Sequence, residues 1–208
     1  MKQLYTIGHS TYPVEHLLEL LRLYEVQYVL DVRSMPFSRY AHQYNANEIG
    51  PYLKERGIAY FDMGRYFGAR QPDRKYYSKE GYLDFEAFRA SDLFKKGKDN
   101  VKKGLEENNI ALMCTEKHPI DCHRAIMVAR GFELDGVDVK HILHDKTCLT
   151  QKELGLQLLD KYFPDRAQMT LFTMGNEKSD EEYLIDAYRM RNAEIGFHYD
   201  SNKEGAEE

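Results

Sequence analysis

The sequence predicts an α/β fold: a three-layer, Rossmann-like parallel sheet with helices on both faces, followed by C-terminal helices. Short β-type runs alternate with amphipathic helical patterns along most of the chain. The runs YVLDV at 28–32 and IALMC at 110–114 are nearly all apolar, which is typical of strands covered on both faces. The connections between such runs are too long for hairpins and fit helical crossovers between parallel strands.

The first predicted unit is a strand at 3–7 and a helix with Pro13 in its first turn. The second unit repeats this plan, with a strand at 28–32 and a helix near 47–56. The remaining predicted elements are strands at 58–63, 110–114 and 139–143 and helical patterns at 82–107, 122–134, 150–162 and 180–195.

Length and composition place the chain among globular proteins. With 208 residues it is long enough to bury a core without staples, which excludes disulfide-stapled miniproteins. Hydrophobic residues make up 42% and charged residues 30%, a composition that excludes a disordered chain. We predict a single α/β domain over residues 1–200 and a frayed acidic tail over 201–208.

The net charge of -5 is unevenly distributed along the chain. Residues 175–208 contain ten acidic and four basic side chains, whereas the preceding residues are nearly neutral. Global charge therefore gives no nucleic-acid signal, and any anion site must be local.

No apolar run approaches the length of a membrane-spanning helix, and the N-terminus has no signal-peptide core. We therefore expect a cytoplasmic protein with no membrane partner. Because the three cysteines are an odd number in a compartment expected to be reducing, we interpret Cys114, Cys122 and Cys148 as thiols.

The loop after the fourth predicted strand carries a strong chemical signal. Ligands of open parallel sheets bind beyond the carboxyl ends of the strands, where loops and helix N-termini converge. Cys114 ends the strand and Asp121 is a suitable N-cap, which would place Cys122, His123 and Arg124 in the first helical turn. There the helix dipole and the guanidinium would favour a thiolate. The alternative is that both cysteines are small buried packing residues.

The loops after the first two strands add arginines and smaller polar residues. Arg33 and Arg39 have no acidic residue beside them between positions 32 and 47, which favours recognition of phosphate, sulfate or carboxylate. The alternative is a structural ion pair of Arg33 with Asp31 or Glu116. Further candidate ligand-binding residues on these loops are Ser10, Asp31, Ser38 and Asn45.

The segment 64–79 interleaves five basic side chains with four aromatic ones and contains one acidic residue. Such a segment can follow a nucleic-acid backbone while stacking bases, or close as a lid over a nucleotide. A solvated loop whose aromatic side chains pack inward would have the same composition. Arg70 is the candidate ligand-binding residue of this segment.

Metal binding is an option that the spacing does not favour. Cys114, Cys122 and His123 include no C-x-x-C pair, and adjacent side chains on one helical turn point about 100° apart. We therefore predict no structural zinc site and assign no metal ligands. A transient or catalytic ion held by His9, Glu116 and His123 is the alternative.

Four segments together resemble a known family, the domain of unknown function 488. They are TIGHST at 6–11, DVRSMPFSR at 31–39, GIAYFDMGRYFGAR at 57–70 and ALMCTEKHPIDCHR at 111–124. The C-terminal AYRMRNAEIGF is similar to the family's closing helix, so the resemblance covers nearly the whole chain. The resemblance implies a compact α/β domain with a shared pocket and does not imply a particular reaction.

These patterns lead to one main hypothesis: an enzyme that binds a small anionic or nucleotide-like ligand at the carboxyl ends of the strands and uses thiol and imidazole chemistry. The candidate catalytic residues are His9, Glu116, Cys122 and His123. The candidate ligand-binding residues are Ser10, Asp31, Arg33, Ser38, Arg39, Asn45, Arg70, Cys114 and Arg124.

Two alternatives belong to other functional classes. The first is a nucleic-acid-binding or nucleic-acid-processing module that uses the segment 64–79. The second is a non-catalytic ligand sensor, in which replacement of Cys122 would leave ligand affinity intact. The residue patterns identify neither a cofactor nor an oligomeric state.

Overall fold

The computed structural model describes residues 2–166 and 178–199 of the chain. Within them, six strands form one sheet: β1 (Leu4–Gly8), β2 (Tyr28–Asp31), β3 (Ala59–Asp62), β4 (Ile110–Cys114), β5 (Val139–Ile142) and β6 (Cys148–Thr150). Their order across the sheet is β3-β2-β4-β1-β5-β6. Every neighbouring pair is parallel except β5 and β6. The predicted α/β fold class is confirmed.

Eight α-helices lie within the described residues: α1 (Val14–Leu23), α2 (Ala46–Lys54), α3 (Gly64–Phe67), α4 (Phe85–Arg89), α5 (Asp92–Gly104), α6 (Arg130–Glu133), α7 (Gln151–Tyr162) and α8 (Asp180–Ile195). A π-helical turn, Arg124–Ala129, leads directly into α6. Short 3-10 turns occur at His42–Tyr44, Arg74–Tyr76 and Pro119–Asp121. None of the helices in the described ranges is long and apolar enough to cross a membrane.

Helices cover both faces of the sheet because its central strands are apolar on both sides. On β4, Ala111 and Met113 pack into a core with α1 and α2. Ile110, Leu112 and Cys114 point into a second core on the opposite face, which α5, the π-helical turn and α7 fill. Cys114 is therefore the last residue of a fully buried strand at the carboxyl edge of the sheet.

Two elements differ from the sequence prediction. β6 is an additional antiparallel strand of three residues, too short to show an alternating pattern. The helical pattern predicted over 82–107 divides into α4 and α5 because the Ser91 side chain accepts a hydrogen bond from the Phe94 N–H and caps a new helix. The predicted frayed tail at 201–208 lies outside the described residues.

The end of α8 is tied to the segment that precedes α4. The Asn192 side chain accepts a hydrogen bond from the Phe85 N–H and donates one to the Leu83 carbonyl, both at 2.8 Å. The Leu83 N–H in turn donates to the Phe197 carbonyl at 3.0 Å. These long-range bonds place Phe197 beside the loops at the carboxyl edge of the sheet.

Gly97 in α5 provides a test of helix packing against the segment after β3. A Cβ there would lie 2.7 Å from Tyr66 Cβ and 2.9 Å from Phe67 Cζ. Gly97→Ala should therefore lower the free energy of unfolding by about 1–3 kcal/mol, although alanine is ordinarily the better helix former. Urea denaturation would measure the change. Gly104→Ala in the same helix is the matched control. A Cβ there would lie 3.0 Å from the flexible end of the Ile110 side chain, so the free energy of unfolding should stay unchanged. An equal change in the two variants would contradict the prediction.

Candidate functional site

A cavity of about 280 Å³ opens at the carboxyl edge of the sheet. Its wall comes from the loops after β2 and β4, from the segment after α3 and from the residues at the end of α8. Six of the residues predicted as site residues lie in this wall: Arg33, Arg70, Cys114, Glu116, Cys122 and His123.

Two thiols, an imidazole and a carboxylate meet on one side of the cavity. His123 Nδ1 lies 3.7 Å from Cys114 Sγ and 4.0 Å from Cys122 Sγ. Glu116 Oε2 lies 3.8 Å and 3.7 Å from the same two sulfur atoms. Both cysteines are buried and free of disulfide bonds. We refer to these four side chains as the Cys–His–Glu cluster.

The backbone around Cys122 differs from the predicted helix start. A 3-10 turn ends at Asp121, Cys122 is extended with φ -134° and ψ 137°, and helical geometry begins at His123. The predicted N-cap is wrong, because the Asp121 carboxylate instead accepts a hydrogen bond from Arg191 on α8. Since Cys122 is not helical, its side chain and that of His123 approach a common point. The expectation that the Cys122 and His123 side chains point about 100° apart on one helical turn is therefore also wrong.

The loop after β2 fixes the orientation of His123. His123 Nε2 lies 3.0 Å from the Val32 carbonyl oxygen. Because a carbonyl can only accept a hydrogen bond, Nε2 carries the proton in the neutral imidazole. In that neutral form Nδ1 presents a lone pair to the sulfur atoms. Burial would lower the pKa of His123, but the hydrogen bond with Cys122 and the charge of that thiolate raise it, so a protonated Nδ1 donates to Cys122 when Cys122 is a thiolate.

The groups of the cluster shift one another's ionisation. Burial alone would raise the pKa of Cys122, but the hydrogen bond with Cys114, the charge of Arg124 and the hydrogen bond with His123 hold it well below its usual value. The hydrogen bond with Cys122, together with burial, raises the pKa of Cys114 well above its usual value. Although Glu116 as a whole residue is exposed, its carboxylate is partly desolvated, and this desolvation raises its pKa. The negative charge of the nearby Cys122 raises the pKa further. These shifts favour a thiolate at Cys122, paired with the His123 imidazolium, beside a thiol at Cys114.

Arg124, predicted to hold a ligand, belongs to the protein interior. Its side chain is fully buried, and its guanidinium donates to the carbonyl oxygens of Glu116 at 2.6 Å and Lys117 at 3.2 Å. It also donates to Thr6 Oγ1 at 3.3 Å. Gly8 makes room for this contact, because a Cβ there would lie 1.8 Å from the Glu116 carbonyl oxygen. Arg124 therefore supports the loop after β4 from inside the protein.

Arg33 lines the cavity, but neighbouring residues use most of its donors. Its Nε donates to Asp31 Oδ1 at 2.8 Å, and its Nη2 donates to the Tyr44 carbonyl oxygen at 2.7 Å. The Tyr60 hydroxyl donates to Asp31 Oδ2 at 2.6 Å. The structure therefore contains the expected alternative, an ion pair of Arg33 with Asp31. Through this pair the fully buried Asp31 holds the loop after β2 in place.

His9, a candidate catalytic residue, lies behind Arg33 and outside the cavity wall. It is 1% exposed and stacks on Tyr44 with ring centroids 4.0 Å apart. Arg33 Nη1 donates to His9 Nε2 at 3.1 Å, and His9 Nδ1 donates to the Ser10 carbonyl oxygen at 2.7 Å. Burial and the charge of Arg33 lower the pKa of His9 to about 4, so the imidazole is neutral at pH 7.

The other candidate ligand-binding residues of the first two loops also lie outside the cavity wall. The Ser10 N–H donates to the Thr115 carbonyl oxygen at 2.8 Å and joins the loops after β1 and β4. Asn45 Oδ1 accepts a hydrogen bond from the Ser38 N–H at 2.7 Å, which closes the loop after β2. Arg39 is exposed on that loop.

In the segment 64–79, the basic side chains are exposed and the aromatic side chains turn inward. Phe67 is fully buried, and the tyrosines of the segment are half-buried. Arg70 reaches the cavity, where its guanidinium lies over the Phe197 ring, 4.7 Å from the ring centroid. The segment therefore has the arrangement of a solvated loop whose aromatic side chains pack inward, which was the alternative to base stacking.

A profile of the family described as "Domain of unknown function DUF488" matches residues 13–130, more than half of the chain. The chain belongs to this family. A search of curated proteins and a search of solved structures found no match. The region matched to the DUF488 family contains the whole Cys–His–Glu cluster, whereas TIGHST and the C-terminal AYRMRNAEIGF lie outside it.

Part of the cavity wall in this DUF488 protein has no counterpart among the sequence predictions. Ile195 and Phe197 line the cavity from beyond the matched region; they end the segment AYRMRNAEIGF, which the sequence analysis related to the family's closing helix without assigning it to the site. Ser34 and Met35 lie within DVRSMPFSR, where the charge pattern draws attention to the arginines instead. Met35 and Phe37 are apolar residues of this loop, and the structure leaves both exposed, 61% and 62% respectively.

His9 gives a prediction for the pH dependence of stability. Its pKa of about 4 in the folded protein lies below the value of 6.5 expected in an unfolded chain. Between these values the unfolded chain binds a proton that the folded chain does not, so stability rises with pH. The contribution is complete above pH 6.5 and is lost as the pH falls toward 4. His9→Gln should reduce the rise in the free energy of unfolding between pH 4 and pH 8 by up to about 3 kcal/mol. Urea denaturation across this pH range would measure the change.

His42→Gln is the matched control for this measurement, because His42 is exposed to water in the folded protein. It should retain the wild-type slope. A His9→Gln variant with that same slope would show that the buried imidazole contributes nothing to the acid sensitivity.

Proposed function

We propose that this protein is an enzyme that acts on a small anionic or nucleotide-like ligand bound at the carboxyl edge of the sheet. The observation that supports the proposal is that the Cys–His–Glu cluster and the exposed guanidinium of Arg70 line one cavity. Reactive groups and an anion anchor in the same cavity can hold one ligand and convert it.

Arg70 is the anchor in this proposal. Its guanidinium lies over Phe197, and its Nη1 is 3.5 Å from Met35 Sδ. Within the described residues Arg70 forms no ion pair with a carboxylate, whereas Arg33 is paired with Asp31. The planar donor fork of Arg70 is therefore available for a phosphate or a carboxylate group.

The rim around Arg70 supports a ligand that also has an apolar part. Met35 is 61% exposed beside the cavity, and Phe197 contributes an aromatic ring from the C-terminal side. An anionic group next to a flat apolar surface is the chemistry of a nucleotide, which gives the proposed ligand class. Small carboxylates and phosphates without a ring are the simpler members of the same class.

The inner wall supplies the groups for chemistry. The thiols of Cys114 and Cys122 and the imidazole of His123 offer a nucleophile, metal ligands or proton carriers, and their sulfur and Nδ1 atoms lie within 4.8 Å of one another. Because these roles require reduced sulfur, we assign the enzyme to the cytoplasm as part of the proposal.

Arg70→Met tests the anchor. We expect titration calorimetry with nucleoside monophosphates, nucleoside diphosphates and pyrophosphate to identify a ligand of the wild-type protein. Arg70→Met should weaken its binding about 10- to 100-fold, because charge-assisted hydrogen bonds contribute about 1.5–3 kcal/mol. Arg65→Met, exposed in the same segment, should bind as the wild type does. Absence of binding by all probes, or equal losses in the two variants, would contradict the anchor.

Conversion of the bound ligand distinguishes an enzyme from a ligand sensor. After incubation, nuclear magnetic resonance of the ligand should show conversion by the wild type and none by Cys122→Ser. Ligand affinity should stay within a few-fold of wild type in Cys122→Ser, since Arg70 provides the anchor. A ligand that binds to the wild type and is recovered unchanged would favour the sensor over the enzyme.

A further inference from the structure

We propose that Cys114, Cys122 and His123 bind a divalent metal ion of the zinc type, with one coordination position open toward the cavity. The catalytic part of this inference rests on the proposed function, whereas metal binding itself does not. The three ligand atoms, two Sγ and one Nδ1, all lie within 4.8 Å of one another. Thiolate and imidazole are ligands that favour zinc over hard cations such as magnesium and calcium.

The sulfur–nitrogen distances within the cluster are close to those of tetrahedral coordination. In a tetrahedral site, zinc bonds of about 2.3 Å to sulfur and about 2.0 Å to nitrogen separate a sulfur from a nitrogen ligand by about 3.5 Å and two sulfur ligands by about 3.8 Å. His123 Nδ1 lies 3.7 Å from one sulfur atom and 4.0 Å from the other. The three ligand atoms lie within 4.8 Å of one another, so movements of the two sulfur atoms by up to about 1 Å in total would close the site around an ion.

The surroundings of His123 are those of a metal ligand. Its Nε2 donates to the Val32 carbonyl oxygen at 3.0 Å, which leaves the Nδ1 lone pair directed toward the sulfur atoms. Histidines that bind metals generally donate their other ring N–H to a carbonyl or carboxylate, because this bond fixes the tautomer and the ring orientation. The bond is in place here without any rearrangement.

The local backbone explains how a metal site forms without a C-x-x-C motif. Cys114 is fixed at the end of β4, and its register with β1 places it opposite Gly8. Cys122 is extended directly after a 3-10 turn, so its sulfur returns toward the strand end. The ligand set is thus built from a strand end and a turn.

Three protein ligands leave one position of a tetrahedral ion free, which is the arrangement of catalytic zinc sites. All three ligands line the cavity, so the free position is open to a ligand or a water molecule. Glu116 Oε2, 3.7 Å from Cys122 Sγ, is next to this position. An ion held there would lower the pKa of a water molecule bound to it, and the Glu116 carboxylate would accept the proton that this water loses. No electron is transferred in this step.

A metal titration of the full-length wild-type protein tests the inference. After chelator treatment and removal of the chelator, Co²⁺ should bind at one ion per chain with thiolate-to-cobalt charge-transfer absorption and tetrahedral visible bands. Zinc should displace it. Zinc should also protect Cys114 and Cys122 from alkylation while leaving Cys148 reactive, because Cys148 lies in β6 outside the cluster. This second measurement needs no variant and is independent of any folding defect.

Variants then assign the ligands. Cys114→Ser, Cys122→Ser and His123→Ala should each lower zinc affinity by on the order of 100-fold or more, because each removes a ligand outright. Cys148→Ser is the matched control and should keep wild-type affinity. Glu116→Gln should bind zinc and show the cobalt spectrum but lose conversion of the ligand. A spectrum that persists in the Cys114→Ser, Cys122→Ser double variant, or no stoichiometric binding by the wild type, would overturn the metal site.

The metal site and the proposed function can fail separately. Metal binding is measured without any anionic ligand, and Arg70→Met should leave it unchanged. Absence of anion binding by the wild-type protein, together with an intact cobalt spectrum, would therefore contradict the proposed function alone. Anion binding and conversion by a protein that binds no metal would overturn the metal site alone and leave Cys122 as a nucleophilic thiolate.

Discussion

The buried guanidinium of Arg124 is the interaction on which the rest of the site depends. It donates to two carbonyl oxygens of the loop after β4 and to the Thr6 hydroxyl of β1. The main chain at Gly8 lies so close to this loop that a Cβ there would meet a carbonyl oxygen at 1.8 Å. Together these contacts fix the path of the loop, and that path brings Cys122 back to Cys114.

A buried cation costs several kcal/mol unless its surroundings compensate the charge. The hydrogen-bond partners of Arg124 are neutral oxygen atoms, so they solvate the guanidinium without balancing its charge. Its positive charge contributes to the lowered pKa of Cys122. By reciprocity, an anionic sulfur in the cluster stabilises the buried arginine. The fold and the chemistry of the site are therefore linked through one electrostatic interaction.

The sequence predicts the five parallel strands and the convergence of their loops because each strand is a short apolar run that ends at polar residues. It also places Cys114 and Cys122 at the same edge of the sheet, at the two ends of the loop after β4. It cannot separate Arg33 and Arg124, which serve the fold, from Arg70, which faces the cavity. That distinction depends on carbonyl and carboxylate groups from other loops, and sequence spacing does not encode which of them will surround a guanidinium.

The extended conformation of Cys122 decides what the cluster can do. Had Cys122 begun a helix, its sulfur would point away from His123, and one thiol alone could act. In the observed conformation both sulfur atoms lie within 4.0 Å of the His123 Nδ1 atom. Two thiolates so close together repel each other unless a cation lies between them. A proton on Cys114 removes this repulsion in the free protein. The proposed zinc ion would remove it while both sulfur atoms stay anionic. The cation that the cluster holds therefore determines whether the cavity contains a nucleophilic thiolate or a Lewis acid.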